Sequence, residues 1–204
     1  MILKEFKVFR RKFTWTKTKI INYTILTCWT IVAISIGFFK YENSIFVLFL
    51  IIFPMFLFSI GTILKWTGFK KREQLQGFFS GVLIFEKDFI SLNNNKILLE
   101  DIRSIEISNN DWLDKKKYNY YLDFNYENDL SCGVSNCLII ELLNNEVIKT
   151  NFLQENWDGN DFVEIQDVIT YYYVAKKMGY LNAIEVLRLT VKSDYEAFKK
   201  LKTM

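Results

Sequence analysis

Two runs of twenty residues without a charge set the limits on what this chain can become. They are "IINYTILTCWTIVAISIGFF", residues 20–39, and "IFVLFLIIFPMFLFSIGTIL", residues 45–64, separated only by "KYENS". As helices rising about 1.5 Å per residue, each would be roughly 30 Å long, the thickness of a hydrocarbon core. Neither run has a polar face at helical period, so each is apolar all round, as a lipid-facing helix is and a surface helix is not. A cleavable signal peptide would have a shorter apolar stretch, a small-residue cleavage site and no second run close behind. The pair predicts a transmembrane hairpin over residues 20–64.

Basic residues around the runs predict its orientation. Lys4, Lys7, Arg10, Arg11, Lys12, Lys17 and Lys19 precede the first run against a single Glu5, and Lys65, Lys70, Lys71 and Arg72 follow the second. The connecting "KYENS" is nearly neutral. By the positive-inside tendency both termini are cytoplasmic and the connection is the outer turn. On this reading Arg10, Arg11, Lys12 and Trp15 meet the membrane interface on entry, and Lys65, Trp66, Lys70, Lys71 and Arg72 meet it on exit. Tyr23 and Tyr41 are further aromatic anchors. Pro54 predicts a packing kink of the sort that membrane helices tolerate. Residues 1–19 read as a basic cytoplasmic segment and 65–75 as a basic juxtamembrane linker.

Beyond Arg72 the chain changes character. Residues 1–72 hold twelve Lys or Arg and two acids, a net of +10, whereas residues 73–204 carry a net of −7. An acidic domain is a poor nucleic-acid ligand, while basic flanks are drawn to anionic lipid. The partners this implies are the bilayer and a protein, with no nucleic acid. The wealth of Lys, Asn, Ile, Phe and Tyr reads as an AT-rich bacterial genome, which places the hairpin in a bacterial inner membrane.

Residues 76–204 read as a cytoplasmic domain. Apolar β-formers predict strands near 81–86, 89–92, 96–99 and 102–108, broken at "EKD" and "NNN". "CLIIELLNNEVIKTNF" predicts a hairpin turning at Asn144-Asn145. A further strand is placed near 118–125, inside a polar and aromatic stretch. Asp161 and Glu164 have the spacing of a helix cap, and Phe162, Ile165, Ile169, Tyr172 and Ala175 recur at helical period until Gly179. Shorter helices are expected at 181–190 and 193–202. The fold class is therefore α+β: a two-helix transmembrane hairpin followed by an antiparallel β-sheet or barrel, capped by a helix, with extra C-terminal helices.

The pattern "GVLIFEKDFISLNNNKILLEDIRSIEIS", with the later hairpin and the amphipathic helix, resembles bacterial pleckstrin-homology-like (PH-like) domains. It is similar above all to small membrane proteins in which two helices precede such a domain, and the likeness covers residues 76–178. The resemblance implies a curved antiparallel sheet capped by a helix, a scaffold for binding and assembly at membranes. Lipid-binding versions carry a basic cluster in the first hairpin loop, where this chain has Lys87 and Lys96 beside Glu86 and Asp88.

Chemistry is mostly excluded. There is no histidine, which removes Ser-His-Asp and Cys-His nucleophiles, His-ligated zinc and imidazole acid–base work. No phosphate-binding glycine loop and no GxSxG elbow occur. Cys28, Cys132 and Cys137 make no even disulfide framework, and "CGVSNC" has no second ligand pair, so all three read as ordinary thiols. No cofactor or metal is implied. The one basic and aromatic cluster, "DWLDKKKYNYY", places Lys115, Lys116 and Lys117 beside Trp112; it reads as a solvated loop, or more sharply as a contact for headgroups or a partner. The expected function is a non-catalytic, membrane-anchored binding or assembly protein. The alternatives are an immunity protein against a membrane-acting toxin and a subunit of a membrane transporter or enzyme. The last predicts ionisable residues inside the spans, and the spans have none.

Overall fold

The computed structural model describes residues 4–39, 45–68, 70–117, 126–156, 161–190, 195–196 and 198–199. The chain divides into two compact units. One comprises Met1–Lys12, Leu75–Lys115 and Ser131–Met204; the other comprises Phe13–Gln74 and Lys116–Leu130.

The chain opens with a strand, β1 (Glu5–Arg11), and this departs from the sequence reading, which made residues 1–19 a basic flank. "EFKVFRR" alternates as a half-buried strand does: Phe6 and Val8 are buried while Glu5 and Lys7 are exposed. Two long helices follow, α1 (Lys17–Phe39) and α2 (Ile45–Thr67), each longer than the expected runs by three residues. The strands of the first unit then come as β2 (Gly77–Phe85), β3 (Phe89–Leu92), β4 (Asn95–Leu98) and, after a single 3-10 turn, β5 (Ile102–Ser108). A short pair, β6 (Leu113–Lys116) and β7 (Leu130–Cys132), precedes the closing hairpin of β8 (Asn136–Leu142) and β9 (Val147–Phe152). Two helices, α3 (Gln166–Val174) and α4 (Tyr180–Leu187), end the described fold. The expected strand at 118–125 lies outside the described residues, as does most of the expected helix at 193–202.

Seven strands form one sheet in the order β4-β3-β2-β1-β9-β8-β5, and the pairings between them are antiparallel among the described residues. The order places β1 in the middle, where it alone joins the β2-β3-β4 half to the β9-β8-β5 half. Local chemistry sets the turns. Leu92 pairs with Asn95 across Asn93 and Asn94, both at positive φ (54° and 69°), the conformation that a two-residue hairpin turn demands and Asn tolerates. Asn145 is left-handed in the β8–β9 turn (φ 68°), and Glu146 N–H bonds the Asn144 side-chain oxygen at 2.9 Å. β2 begins four residues earlier than expected. Gly81 (φ 147°) sits at a bulge where Val8 pairs with Gly81 and Phe9 with Phe79, leaving Ser80 as the extra residue.

The core lies between this sheet and the C-terminal helices. Phe6, Phe85, Phe152 and Phe162 form an aromatic cluster, with Phe6 stacked on Phe162 at 4.8 Å and edge-on to Phe85 and Phe152 at 5.6 and 5.5 Å. Val168, Ile169, Tyr172 and Tyr173 bring α3 onto it, with Ile165 from the turn before α3, and Ala183, Ile184 and Leu187 bring α4. The Tyr172 hydroxyl donates to the Glu86 carbonyl at 2.5 Å.

Asp161 does not cap a helix. The 3-10 turn Val163–Ile165 precedes α3, and neither start has a side-chain cap. Asp161, 2% exposed, instead accepts the backbone N–H groups of Glu155 and Asn156 at 3.0 and 3.5 Å and pairs with Lys4 at 2.9 Å. Glu164 takes the same ammonium at 2.9 Å. β1 is thus pinned electrostatically to the start of the helical layer. α3 already ends at Val174, and Gly179 is the N-cap of α4 and not the residue that stops α3.

Lys4→Met strands a buried carboxylate and is expected to cost about 3 kcal/mol, read as a lower urea midpoint of the detergent-solubilised protein. Burial pulls the Lys4 pKa down, but the hydrogen bonds and charges of Asp161 and Glu164 outweigh it, and the net shift is upward from 10.5. A raised folded-state pKa gives stability that is complete below the unfolded value and lost as pH rises through the folded one. The gap between wild type and Lys4→Met should therefore hold through neutral pH and begin to close above about pH 10.5.

Candidate membrane interface

α1 and α2 are long and apolar enough to cross a membrane, and only 17% of each apolar window is buried inside the protein. The core helix of a soluble protein would be mostly buried. The two helices touch through Cys28, Val32 and Leu50, supported by Ile51 and Phe53. Outward, Leu26, Ile34, Leu48, Phe49, Ile52 and Phe56 are exposed. Five hydroxyls on the same helices are satisfied within them. Thr24, Thr27, Thr30, Ser59 and Thr62 each donate a hydroxyl to the carbonyl four residues earlier, at 2.8–3.0 Å. Such back-bonding is unnecessary in water and is what a hydrocarbon solvent requires of a buried hydroxyl.

Aromatic rings gather at the start of α1. Phe13 meets Trp15 edge-on at 5.7 Å, Trp15 meets Tyr23 at 5.9 Å, and all three are exposed. Trp66 is exposed in the last turn of α2 beside Lys65. Tyr41 lies outside the described residues, as does the "KYENS" connection. This distribution of rings is the one that a membrane–water boundary favours.

The base of the helix pair is tied together by residues 126–130, which follow the expected strand at 118–125. Thr16 caps α1 by accepting Lys19 N–H at 3.3 Å, and the Glu127 carboxylate accepts Thr18 N–H at 3.0 Å. That carboxylate offsets the helix dipole at an end that otherwise carries Lys17 and Lys19. Thr18 in return accepts Tyr126 N–H at 2.8 Å. The buried Tyr126 ring lies over Gly61 of α2, where an added Cβ would come within 2.5 Å of it. Asn128 donates to the Arg72 carbonyl at 2.6 Å, and Leu130 bonds both Lys71 and Glu73 through the backbone. Residues 126–130 therefore strap the start of α1 to the end of α2.

The expected interfacial residues divide between elements. Arg10 and Arg11 are exposed in β1 and Lys12 follows them; its N–H donates to the Gln76 carbonyl at 3.0 Å. Lys70 and Lys71 are exposed after α2, and Arg72 makes an isolated bridge with Leu130. The lysines near Trp112 do not act as one patch. Lys115 lies over the Trp112 ring at 4.3 Å and donates to the Asn110 carbonyl, while Arg188 stands 5.3 Å from the same ring and bonds the Asn109 carbonyl. Burial lowers the Arg188 pKa from its usual value. Lys117 is paired with Glu73 at 2.6 Å, and Lys116 is exposed on β6. Cys28, Cys132 and Cys137 are free thiols, and no group of metal-ligating side chains occurs among the described residues.

Arg11 pairs with Gly77, and the Lys12–Gln76 hydrogen bond closes the ribbon behind them. The chain leaves the sheet at β1 and returns to the adjacent position on β2. The hairpin is an insertion in the β1–β2 connection. No family model, curated protein or solved structure matches the chain.

Proposed function

We propose that this is a non-catalytic membrane-anchored protein, in which α1 and α2 span a bacterial inner membrane and a PH-like sheet domain meets a protein partner in the cytoplasm. The observation that carries the reading is the insertion of an outwardly apolar helix pair between two adjacent, hydrogen-bonded strands. An even number of crossings returns the chain to the side it left, and only such a topology lets β1 and β2 pair. The basic flanks favour the cytoplasm as that side. An antiparallel sheet covered by helices that follow its last strand supports the PH-like assignment.

The sheet has one edge suited to a partner. β5 is covered: Ile105 N–H bonds the Lys177 carbonyl at 2.7 Å, and Asn182 exchanges two hydrogen bonds with Ile107. β4 is the opposite end of the strand order, and no described strand pairs with its outer side. An extended segment of a partner protein adds to β4 by main-chain hydrogen bonds. The test is a pull-down in gentle detergent with full-length protein, beside a version in which residues 13–74 are replaced by a short turn. The expected result is a stoichiometric partner on both versions that slows hydrogen exchange at Asn95–Leu98. A partner that needs the hairpin, or none on either folded version, contradicts the reading.

A further inference from the structure

Trp29 stands where a membrane tryptophan is least at home. The uncharged run occupies residues 20–39 and α1 spans Lys17–Phe39, so Trp29 lies at the middle of both. Membrane tryptophans favour the ends of such helices, as Trp15 and Trp66 do, because an indole N–H there reaches water. At mid-span it reaches none. Trp29 is 49% exposed, and its N–H meets no acceptor among the described residues. Hydrocarbon supplies no acceptor either, and a hydrogen bond left unmade there is costly.

The ring lines a groove between the two helices, within the second compact unit. The groove has a volume of about 330 Å³, with Ile25 and Trp29 on the α1 wall and Met55, Phe58 and Ser59 on the α2 wall beside the buried Pro54. Ser59 brings its only hydroxyl. That hydroxyl donates to the Met55 carbonyl at 3.0 Å, which satisfies its proton and leaves the oxygen able to accept. The Trp29 donor and the Ser59 acceptor therefore face one groove from opposite walls without bonding each other.

Such a groove is complementary to itself. A two-fold axis along the bilayer normal sets α1 of one copy against α2 of the other and leaves every residue at its own depth. Because Trp29 and Ser59 line the same groove, the rotation carries the donor of each copy to the acceptor of the other. Two equivalent hydrogen bonds form, and Ile25, Met55 and Phe58 of both copies pack between them in a four-helix bundle. Acyl chains fill the groove but offer the indole nothing. An unrelated helix would have to bring its own acceptor to the right depth, whereas a second copy holds one there by symmetry.

We propose that the chain forms a two-fold dimer in the membrane through this groove, the indole N–H of Trp29 in each copy donating to the Ser59 hydroxyl of the other. The proposal rests on the membrane reading of α1 and α2 and gives the hairpin an occupant of its own, separate from the partner at β4.

The experiment uses the full chain in vesicles of phosphatidylcholine and phosphatidylglycerol, with donor and acceptor dyes carried on a C-terminal tag. Energy transfer between copies is followed as lipid is added. Wild type is expected to associate as a dimer that dissociates on dilution, and Trp29→Phe and Ser59→Ala should each weaken it several-fold. The deciding sample mixes the two variants. A mixed pair keeps one complete bond, from Trp29 of one copy to Ser59 of the other, while either variant alone keeps none, so the mixed pair should form several-fold more tightly than either. A monomeric wild type, variants that associate as wild type does, or a mixed pair no tighter than the variants alone would overturn the proposal. Extraction of the wild-type chain from the vesicles by alkaline carbonate would overturn the membrane reading, and the proposal with it.

Discussion

A chain that begins after Lys12 will not form the sheet domain. β1 is the sole link between the two halves of the sheet, pairing with β2 over seven residues and with β9 over two. Its deletion exposes two new sheet edges and empties the positions of Phe6, Val8 and Phe9. A buried Phe→Ala change alone costs about 3–5 kcal/mol, against a total domain stability on the order of 5–15 kcal/mol. Losing three buried side chains and the hydrogen bonds of a central strand exceeds that margin. In the version with residues 13–74 replaced by a turn, near-UV circular dichroism should show a cooperative melt that vanishes when residues 1–12 are also removed. Phe6→Ala should retain the melt but lower its midpoint by roughly 15 °C. A cooperative melt without residues 1–12 would mean that β1 is an accessory to the sheet and not its centre.

The physical reason β1 was not legible in the sequence is instructive. Lys7, Arg10 and Arg11 next to an apolar helix satisfy the pattern of a basic membrane flank, and the same charges occupy the solvent-facing positions of a strand. The alternation of Phe6, Lys7 and Val8 is a strand signal, but its partner begins on the far side of both helices, beyond any local window. Elements whose signals are local fared better. The helix pair, β3, the break at "NNN" and the Asn144-Asn145 turn all rest on periodicity or on residues that tolerate positive φ, and they fall where the sequence puts them, save that Asn95 joins β4.

The candidate interface followed the same rule. The exposure of Trp15, Tyr23 and Trp66 was legible from their places at the ends of the two apolar runs. The strap was not, since Glu127 finds Thr18 across 109 positions of sequence and leaves no local pattern. Asp161 and Glu164 matched a capping spacing, yet a buried carboxylate is stabilised more by a cation than by cap geometry, and Lys4 supplied one from the opposite end of the chain. The tri-lysine stretch lost its unity because strand alternation and Asp114 at φ 64° send its neighbours to different partners.

The second large effect concerns sidedness. Paired strands hold their Cα atoms about 5 Å apart, whereas a hydrocarbon core separates its two surfaces by about 30 Å. Arg11 and Gly77 cannot be partners across a membrane, so the proposed membrane reading requires both ends of the helix pair to lie on one side. Replacing Cys28, Cys132 and Cys137 by Ala and placing single cysteines at Lys12, Glu42 and Lys70 makes this visible to a membrane-impermeant maleimide. The measurement is the labelling of each in intact cells and after permeabilisation. The account predicts that Glu42→Cys reacts in intact cells, while Lys12→Cys and Lys70→Cys react only once the membrane is opened. Labelling of Lys12→Cys and Lys70→Cys from opposite sides, or equal labelling of all three in either state, would contradict it.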